Sequence, residues 1–201
     1  MGYYYLTAQL PYLVYGQAAP MSSAAFRELC KTALSPADAA LLDFCVLDPA
    51  ASSPGLAYGE VPGTTSSVFL DKWRLWERAL RLNLARYRAQ RLKREDGAPV
   101  DPPEDPADAA ATAKAAVSME SPLEAELFLD RSRWDAIESF QGLDYFNRNT
   151  IYAYLLKLLL MERRSLFRIE EGIREYQGLY ASILAARSDE GKQNAEGKTN
   201  G

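Results

Sequence analysis

The chain contains no histidine, only two cysteines, and no apolar segment long enough to cross a membrane. Histidine is the commonest general base and the commonest zinc ligand, so its absence argues against most hydrolases and zinc sites. The signatures G-x-x-x-x-G-K-[ST], G-x-G-x-x-G and G-x-S-x-G, which bind phosphates or present a nucleophilic serine, are also missing. We therefore expect a protein without catalytic residues, bound cofactor, bound metal or small-molecule substrate.

The remaining composition is that of an ordinary globular protein, with 48% hydrophobic and 25% charged residues. A net charge of −4 gives no general attraction to nucleic acids or anionic lipids. Cys30 and Cys45 lie in apolar, helical surroundings, which favours buried reduced thiols over a disulfide, although the spacing permits both. The first residues lack the basic and apolar regions of a signal peptide, so a cytoplasmic protein is expected.

Two amphipathic patterns predict an all-α fold, an elongated helical bundle with long helices at about 68–94 and about 150–185. The second pattern alone corresponds to a helix of about 50 Å. Glu162 interrupts its apolar stripe, and it either lies at the stripe's edge or forms a buried pair that sets the packing register. The two helices are expected to pack through Trp73, Trp76, Leu80, Leu155, Leu158, Leu166 and Ile169.

Composition also predicts the domain organisation. The four predicted parts are an N-terminal helical lobe (1–94), an acidic Pro/Ala-rich linker (95–118), a C-terminal helical lobe (119–187) and a disordered tail (188–201). Ser35-Pro36 and Ser121-Pro122 are typical helix starts. Phe69-Leu70-Asp71 resembles Phe128-Leu129-Asp130, which indicates either two related lobes or a chance match. Residues 1–20 fit a strand or a short helix.

The first long helix is strongly basic. Between Asp71 and Arg94 there are nine basic residues against two acidic ones. Such concentrated charge steers association with a partner, although a solvated face and an RNA-binding face are alternatives. The residues that avoid the apolar stripe, and that we predict to face an acidic protein surface, are Arg74, Arg78, Arg81, Arg88 and Arg91.

Three stretches carry a resemblance to a known family. Tyr3-Tyr4-Tyr5-Leu6-x-Ala8-x-Leu10-Pro11 resembles the start of an uncharacterised bacterial family encoded beside V/A-type ATPase subunits. Tyr154-Leu-Leu-Lys-Leu-Leu-Leu-Met-Glu162-Arg163, with the segment Ser121 to Trp134 before it, resembles the same family. A weaker likeness is to the C (or d) subunit of these ATPases, whose Asp…Asn-Ile run before a long basic helix is similar to Asn149-Thr150-Ile151 and Asn83-Leu84. This chain is shorter than that subunit, with two candidate lobes instead of three.

The resemblance implies a non-catalytic accessory or central-stalk subunit of a bacterial V-type ATPase, which supports ATP-coupled proton or sodium transport. Its partners would be other ATPase subunits, and only the complex would hold it at the inner face of the membrane. The alternative is a free-standing helical adaptor that binds an acidic protein or RNA through residues 72–94. A carboxylate-based enzyme is a third class, but it would need a pocket that the sequence does not indicate.

Overall fold

The described part of the chain is built from helices. The structure is a computed structural model, and it describes residues 3–47, 63–92 and 107–165. Within those ranges there is no strand, which confirms the predicted all-α fold. The elements are α1 (Tyr4–Gln9), α2 (Ser23–Ala33), α3 (Pro36–Ala40), α4 (Val68–Arg91), α5 (Ala107–Ser118), α6 (Pro122–Gln141) and α7 (Arg148–Ser165), with a 3₁₀ helix (Leu41–Phe44) directly after α3.

Serine side chains begin four of these helices. The hydroxyl groups that cap them, each accepting a hydrogen bond from the backbone N–H three residues later, belong to Ser22, Ser35, Ser67 and Ser121. Pro36 and Pro122 take the first helical position, where a missing N–H costs nothing. Both predicted helix starts are therefore confirmed. Helix α6 ends at Gly142, whose φ of 71° is a conformation that glycine adopts without steric strain.

Helix α7 lies inside the hydrophobic core. All six residues from Ile151 to Leu156 are buried, so this helix is enclosed on every side along that stretch. The Tyr154 ring packs against Phe26 of α2 with ring centres 4.8 Å apart. The Tyr154 hydroxyl also donates to the backbone oxygen of Pro11 at 3.0 Å. Side chains from α2 and from the segment after α1 therefore cover the first half of α7.

The two predicted long helices are described to different extents. The first, predicted at 68–94, is Val68–Arg91. The second, predicted at 150–185, begins at Arg148 and is described as far as Ser165. Of the residues predicted to pack between them, the buried ones are Trp73, Trp76, Leu80, Leu155 and Leu158. Leu166 and Ile169 lie outside the described residues.

Glu162 joins α7 to the start of α2. Its two carboxylate oxygens accept hydrogen bonds from the backbone N–H and the hydroxyl of Ser23, both at 2.6 Å. Ser23 is the first residue of α2, where N–H groups have no acceptor within the helix and the helix dipole favours a negative charge. The charge that interrupts the apolar stripe therefore helps to set how two helices pack.

Residues 107–118, which we predicted to belong to a linker, form helix α5 and pack against α4. Ala109, Ala113 and Ala116 are buried at helical spacing, and such small side chains allow two helix backbones to approach closely. The described residues up to Arg164 form one compact unit with one hydrophobic cluster, which differs from the predicted two lobes. The rest of the predicted linker and the predicted tail (188–201) lie outside the described residues.

Both cysteines are free and fully buried, as the sequence favoured. Burial raises the pKa of the Cys30 thiol to about 11, and it also raises the pKa of Cys45. A thiol reacts through its thiolate form, so these cysteines have a structural role as small buried side chains.

Candidate functional site

The five arginines predicted to face a partner do not share an exposed surface. Arg74 and Arg78 are buried, with only 5% and 8% of their surfaces exposed, and Arg81 is half-buried. Only Arg88 and Arg91 are exposed. Arg74 and Arg78 therefore do not lie on an exposed face as predicted, because α4 is covered on a second face in addition to its apolar stripe, whereas a partner contact at Arg88 and Arg91 stays a prediction.

Arg74 and Arg81 of α4 donate hydrogen bonds to backbone oxygens of neighbouring segments. Arg74 donates to the backbone oxygen of Gly63 at 2.8 Å, and its guanidinium lies 5.0 Å from the ring centre of Phe44. Arg81 donates to Glu77 at 2.9 Å and to the backbone oxygen of Leu47 at 2.5 Å. These guanidinium groups act inside the fold, so reversing their charge would destabilise the chain itself as well as any contact with a partner.

A network of buried charges joins α4 to α6. Glu77 and Asp130 are fully buried, and Arg133 lies between them. Arg133 donates two hydrogen bonds to Glu77, of 3.0 and 3.1 Å, and a third hydrogen bond, of 3.1 Å, to Asp130. Burial alone would lower the pKa of Arg133, but the two carboxylates raise it above its ordinary value, so the arginine stays charged.

Within this network, the carboxylate of Asp130 is the group whose burial is least well compensated by hydrogen bonds and opposite charges. Its Oδ1 accepts from Arg133 and lies 3.6 Å from Arg163 of α7, whereas its buried Oδ2 has no hydrogen-bond partner among the described residues. Burial raises the pKa of Asp130, and Arg163 and Arg133 offset this only in part. Because Arg133 separates the two carboxylates and all three groups are buried, we interpret the network as structural.

The raised pKa of Asp130 predicts how stability depends on pH. The unfolded chain releases this proton at a lower pH than the folded chain, so ionisation of Asp130 subtracts stability as pH rises from about 4 towards the folded pKa. Asp130→Asn cannot ionise. We therefore expect the free energy of unfolding of this variant, measured by urea denaturation, to improve relative to wild type as pH rises above about 4, the ordinary pKa of an aspartate.

The matched control is Asp135→Asn, which removes an exposed carboxylate from the same helix. Its difference from wild type should not follow the same trend. If the free energy of unfolding of Asp130→Asn relative to wild type stays constant or falls as pH rises, Asp130 does not have a raised pKa in the folded chain.

The N-terminal tyrosine segment forms the short helix α1 and is anchored at its start. Tyr3 is buried, and its hydroxyl lies 2.5 Å from Asp38 Oδ2. Arg148 donates to the other oxygen of Asp38 at 3.0 Å, and the Tyr3 N–H donates to the backbone oxygen of Phe146 at 2.7 Å. Burial would raise the pKa of Asp38, but these hydrogen bonds outweigh it and lower the pKa. The start of α1 is therefore tied to α3 and to the loop before α7.

Five aromatic rings next to this anchor remain on the outside of the protein. We call them the aromatic surface, and they belong to Tyr4, Tyr5, Tyr12, Tyr145 and Phe146. The Tyr4 ring contacts Phe146 at 4.9 Å and Tyr5 at 5.9 Å between centres. Tyr5 and Tyr12 are 83% and 89% exposed. Contiguous exposed apolar surface of this kind often marks a binding site.

A groove of about 570 Å³ opens beside these rings. Tyr12, Tyr145 and Phe146 line one part of it, and Glu138 of α6 and Lys157 of α7 line another. Lys157 Nζ lies 3.1 Å from Glu138 Oε1 and 4.9 Å from the ring centre of Trp134. The groove thus combines aromatic walls with one ion pair. The sequence indicated the aromatic segment but not its neighbours, because α6 and α7 lie more than a hundred residues away.

Comparisons of the chain with protein-family models, curated proteins and solved structures found no match. The resemblance therefore rests on the three sequence stretches quoted above. The structure describes contacts between these stretches. Tyr154 binds Pro11 at 3.0 Å, and Arg163 binds Glu126 at 2.7 Å. The three stretches that carry the resemblance thus contact one another around α7.

Two other features bear on function within residues 3–47, 63–92 and 107–165. No group of three or more cysteine or acidic side chains is arranged to hold a metal ion there. No helix in this part is both long enough and apolar enough to span a membrane. The feature of the described surface that most needs an explanation is therefore the aromatic surface with its groove.

Proposed function

We propose that this chain is a non-catalytic accessory or central-stalk (C/d-like) subunit of a bacterial V-type rotary ATPase. It would act as a connector that supports ATP-coupled proton or sodium transport, and it would reach the membrane only through the complex. One observation carries the proposal: the N-terminal segment that resembles the ATPase-associated family also supplies Tyr4 and Tyr5, two of the five rings of the exposed aromatic surface. A segment that keeps tyrosines exposed on an anchored helix is suited to binding another protein.

The anchoring of α1 supports a binding role. Aromatic residues are enriched in protein interfaces, where tyrosine supplies a large contact area for little loss of side-chain entropy. The hydrogen bonds from Tyr3 and Arg148 to Asp38 hold the segment in place before any partner arrives. Such preorganisation reduces the entropy that binding must overcome.

The alternative, an adaptor that binds an acidic protein or RNA through residues 72–94, receives less support. Arg74 and Arg78 are buried, and Arg81 is committed to Glu77 and Leu47. Of the five predicted partner residues, this leaves the exposed Arg88 and Arg91 as candidates for an intermolecular contact, and Arg91 already donates to the backbone oxygen of Val117 at 2.5 Å. Arg88 is exposed and lies 3.7 Å from the half-buried Glu126, which Arg163 also binds at 2.7 Å, so Arg88 can exchange this long contact for one with a partner.

The test is affinity purification of the full chain from its native cells, followed by mass spectrometry. We expect the ATPase A, B and D subunits to co-purify with the wild-type chain and to be depleted with Tyr5→Ala/Tyr12→Ala. Because both tyrosines are largely exposed, the melting temperature of this variant should stay close to that of wild type. Arg88→Glu/Arg91→Glu, made in parallel, tests the remaining basic residues.

Absence of ATPase subunits from the wild-type purification would overturn the proposed function. If the tyrosine variant retains the ATPase subunits and the arginine variant loses them, the contact with the partner lies at the end of α4 instead. Purification of RNA with the wild-type chain, without ATPase subunits, would favour the adaptor alternative.

A further inference from the structure

We propose that the aromatic surface and its groove bind a basic segment of the partner protein, with an arginine of that segment stacked on the tyrosine rings and paired with Glu138. This inference deepens the proposed function, since it names the chemistry of the partner at the same surface. Three features of the described residues lead to it: the open faces of the rings, the charge that the groove exposes, and the way this chain stacks its own cations.

The rings of the aromatic surface are exposed and carry no stacked cation from the described residues. Elsewhere the fold pairs aromatic rings with cations repeatedly: Arg131 and Arg164 lie 5.0 and 4.7 Å from the ring centre of Tyr15. Among the described residues, no cation stacks in this way on the aromatic surface. Tyr12, which lines the groove, and Tyr5, which belongs to the adjoining aromatic surface but does not line the groove, therefore present exposed faces whose negative quadrupole attracts a cation supplied from outside.

The groove exposes a carboxylate more than an ammonium group. The Glu138 side chain is 50% exposed, whereas the Lys157 side chain is only 14% exposed. Glu138 Oε1 accepts from Lys157 and from Trp134 Nε1, at 3.1 and 2.8 Å. Within the described part of the chain, Glu138 Oε2 accepts no hydrogen bond, so one carboxylate oxygen is available to a ligand.

A second carboxylate lies next to the rings. Asp144 directly precedes Tyr145 and is exposed, and its Oδ1 accepts a hydrogen bond from the Phe146 N–H at 3.0 Å. An acidic partner would meet two carboxylates here, and a wholly apolar partner would bury Glu138 Oε2 without supplying a hydrogen-bond donor to it. A basic partner is therefore the best match for the electrostatics of this surface.

Arginine fits the combination of rings and carboxylate better than lysine does. A guanidinium group is planar, so it can stack on a tyrosine ring while its N–H groups point at a carboxylate. It is also more weakly hydrated than an ammonium group, which lowers the cost of moving it into a groove. The proposed ligand is thus an arginine-bearing segment in an extended conformation, and the groove is large enough to take several of its side chains.

The test uses the full chain and a short peptide of alternating arginine and glycine, acetylated and amidated at its ends. Binding is measured by isothermal titration calorimetry at low salt, with lysine and glutamate versions of the peptide in parallel. We expect the arginine peptide to bind best and the glutamate peptide not to bind. Tyr5→Ala/Tyr12→Ala should weaken binding of the arginine peptide about 5- to 20-fold.

The matched pair of variants is Glu138→Gln and Glu28→Gln. Glu28 is an exposed glutamate of α2 that pairs with Lys31, so its variant removes the same charge away from the groove. We expect Glu138→Gln to weaken binding and Glu28→Gln to leave it unchanged. Equal effects of the two variants, or unchanged binding by the double-tyrosine variant, would mean that the peptide is attracted only by the net charge, and would overturn the inference.

The outcome of the peptide experiment can be distinguished from the outcome of the purification experiment that tests the proposed function. If the arginine peptide binds as expected but no ATPase subunit co-purifies, the surface is a basic-segment site and the proposed function is wrong. If ATPase subunits are lost from the tyrosine variant but the peptide does not bind, the function stands and the partner chemistry is wrong.

Discussion

Replacing Arg133 by methionine is expected to lower the free energy of unfolding by about 3–5 kcal/mol. The change removes two hydrogen bonds from the fully buried Glu77 and one from the fully buried Asp130. Arg81 would remain as a partner of Glu77, but one half-buried guanidinium cannot replace the two-point contact of Arg133. Urea denaturation, followed by circular dichroism, measures the loss.

A double variant tests the physical reason. In Glu77→Gln/Arg133→Met the uncompensated charge of Glu77 is gone, so we expect the double variant to be less destabilised than the sum of the single changes. Arg131→Met, at an exposed position two residues earlier in α6, is the control and should cost less than about 1 kcal/mol. An Arg133→Met variant within about 0.5 kcal/mol of wild type would contradict a structural role for the network.

The buried network also marks the limit of what could be predicted from the sequence. The all-α character of the described residues and the starts of α3 and α6 follow from local signals, since apolar spacing and serine–proline starts depend on neighbouring residues. The second face of α4 could not be predicted in this way. Charged side chains are rarely buried unless they are paired, and the partner of Glu77 lies in α6, 56 residues further along the chain. Arg74 and Arg78 therefore resembled a solvated face in the sequence.

The alanine-rich segment shows a second limit. Alanine carries too little apolar surface to produce a clear amphipathic pattern, so 107–118 was assigned to the linker by its neighbours. In the structure the buried methyl groups of Ala109, Ala113 and Ala116 allow close packing against α4. The Phe-Leu-Asp match was equally ambiguous: Asp71 accepts from the Thr65 N–H at the start of α4, whereas Asp130 is buried in the middle of α6.

The candidate site was predictable only in part. The cluster of tyrosines at the N-terminus is visible in the sequence, but which of them are buried depends on contacts from distant elements. Tyr3, directly before α1, is buried, and its hydroxyl donates to Asp38, which Arg148 also binds. Tyr5, two residues later in α1, remains exposed. The groove needs α6 and α7 as well, so its carboxylate could not be assigned before the fold was known.

Replacing Trp76 by alanine is expected to cost about 3–5 kcal/mol, because a fully buried indole ring would leave a large cavity in the core. Trp76 also stacks on Trp73 with ring centres 6.0 Å apart and donates through Nε1 to Asp108 at 3.1 Å. That hydrogen bond joins α4 to the first turn of α5. The variant should therefore loosen α5 locally as well as lower the global stability.

Two measurements separate these effects. Trp76→Phe keeps an aromatic ring in the core but loses the N–H donor, so it should lose much less global stability than Trp76→Ala. In both variants, hydrogen exchange should quicken at the amides of α5 more than at those of α7, because α5 loses the hydrogen bond between Trp76 and Asp108 and keeps the one between Arg91 and Val117. If α5 keeps its protection in both variants, the contact between Trp76 and Asp108 does not hold this helix. The buried alanines and the hydrogen bond from Arg91 to Val117 would then be sufficient to hold it against α4.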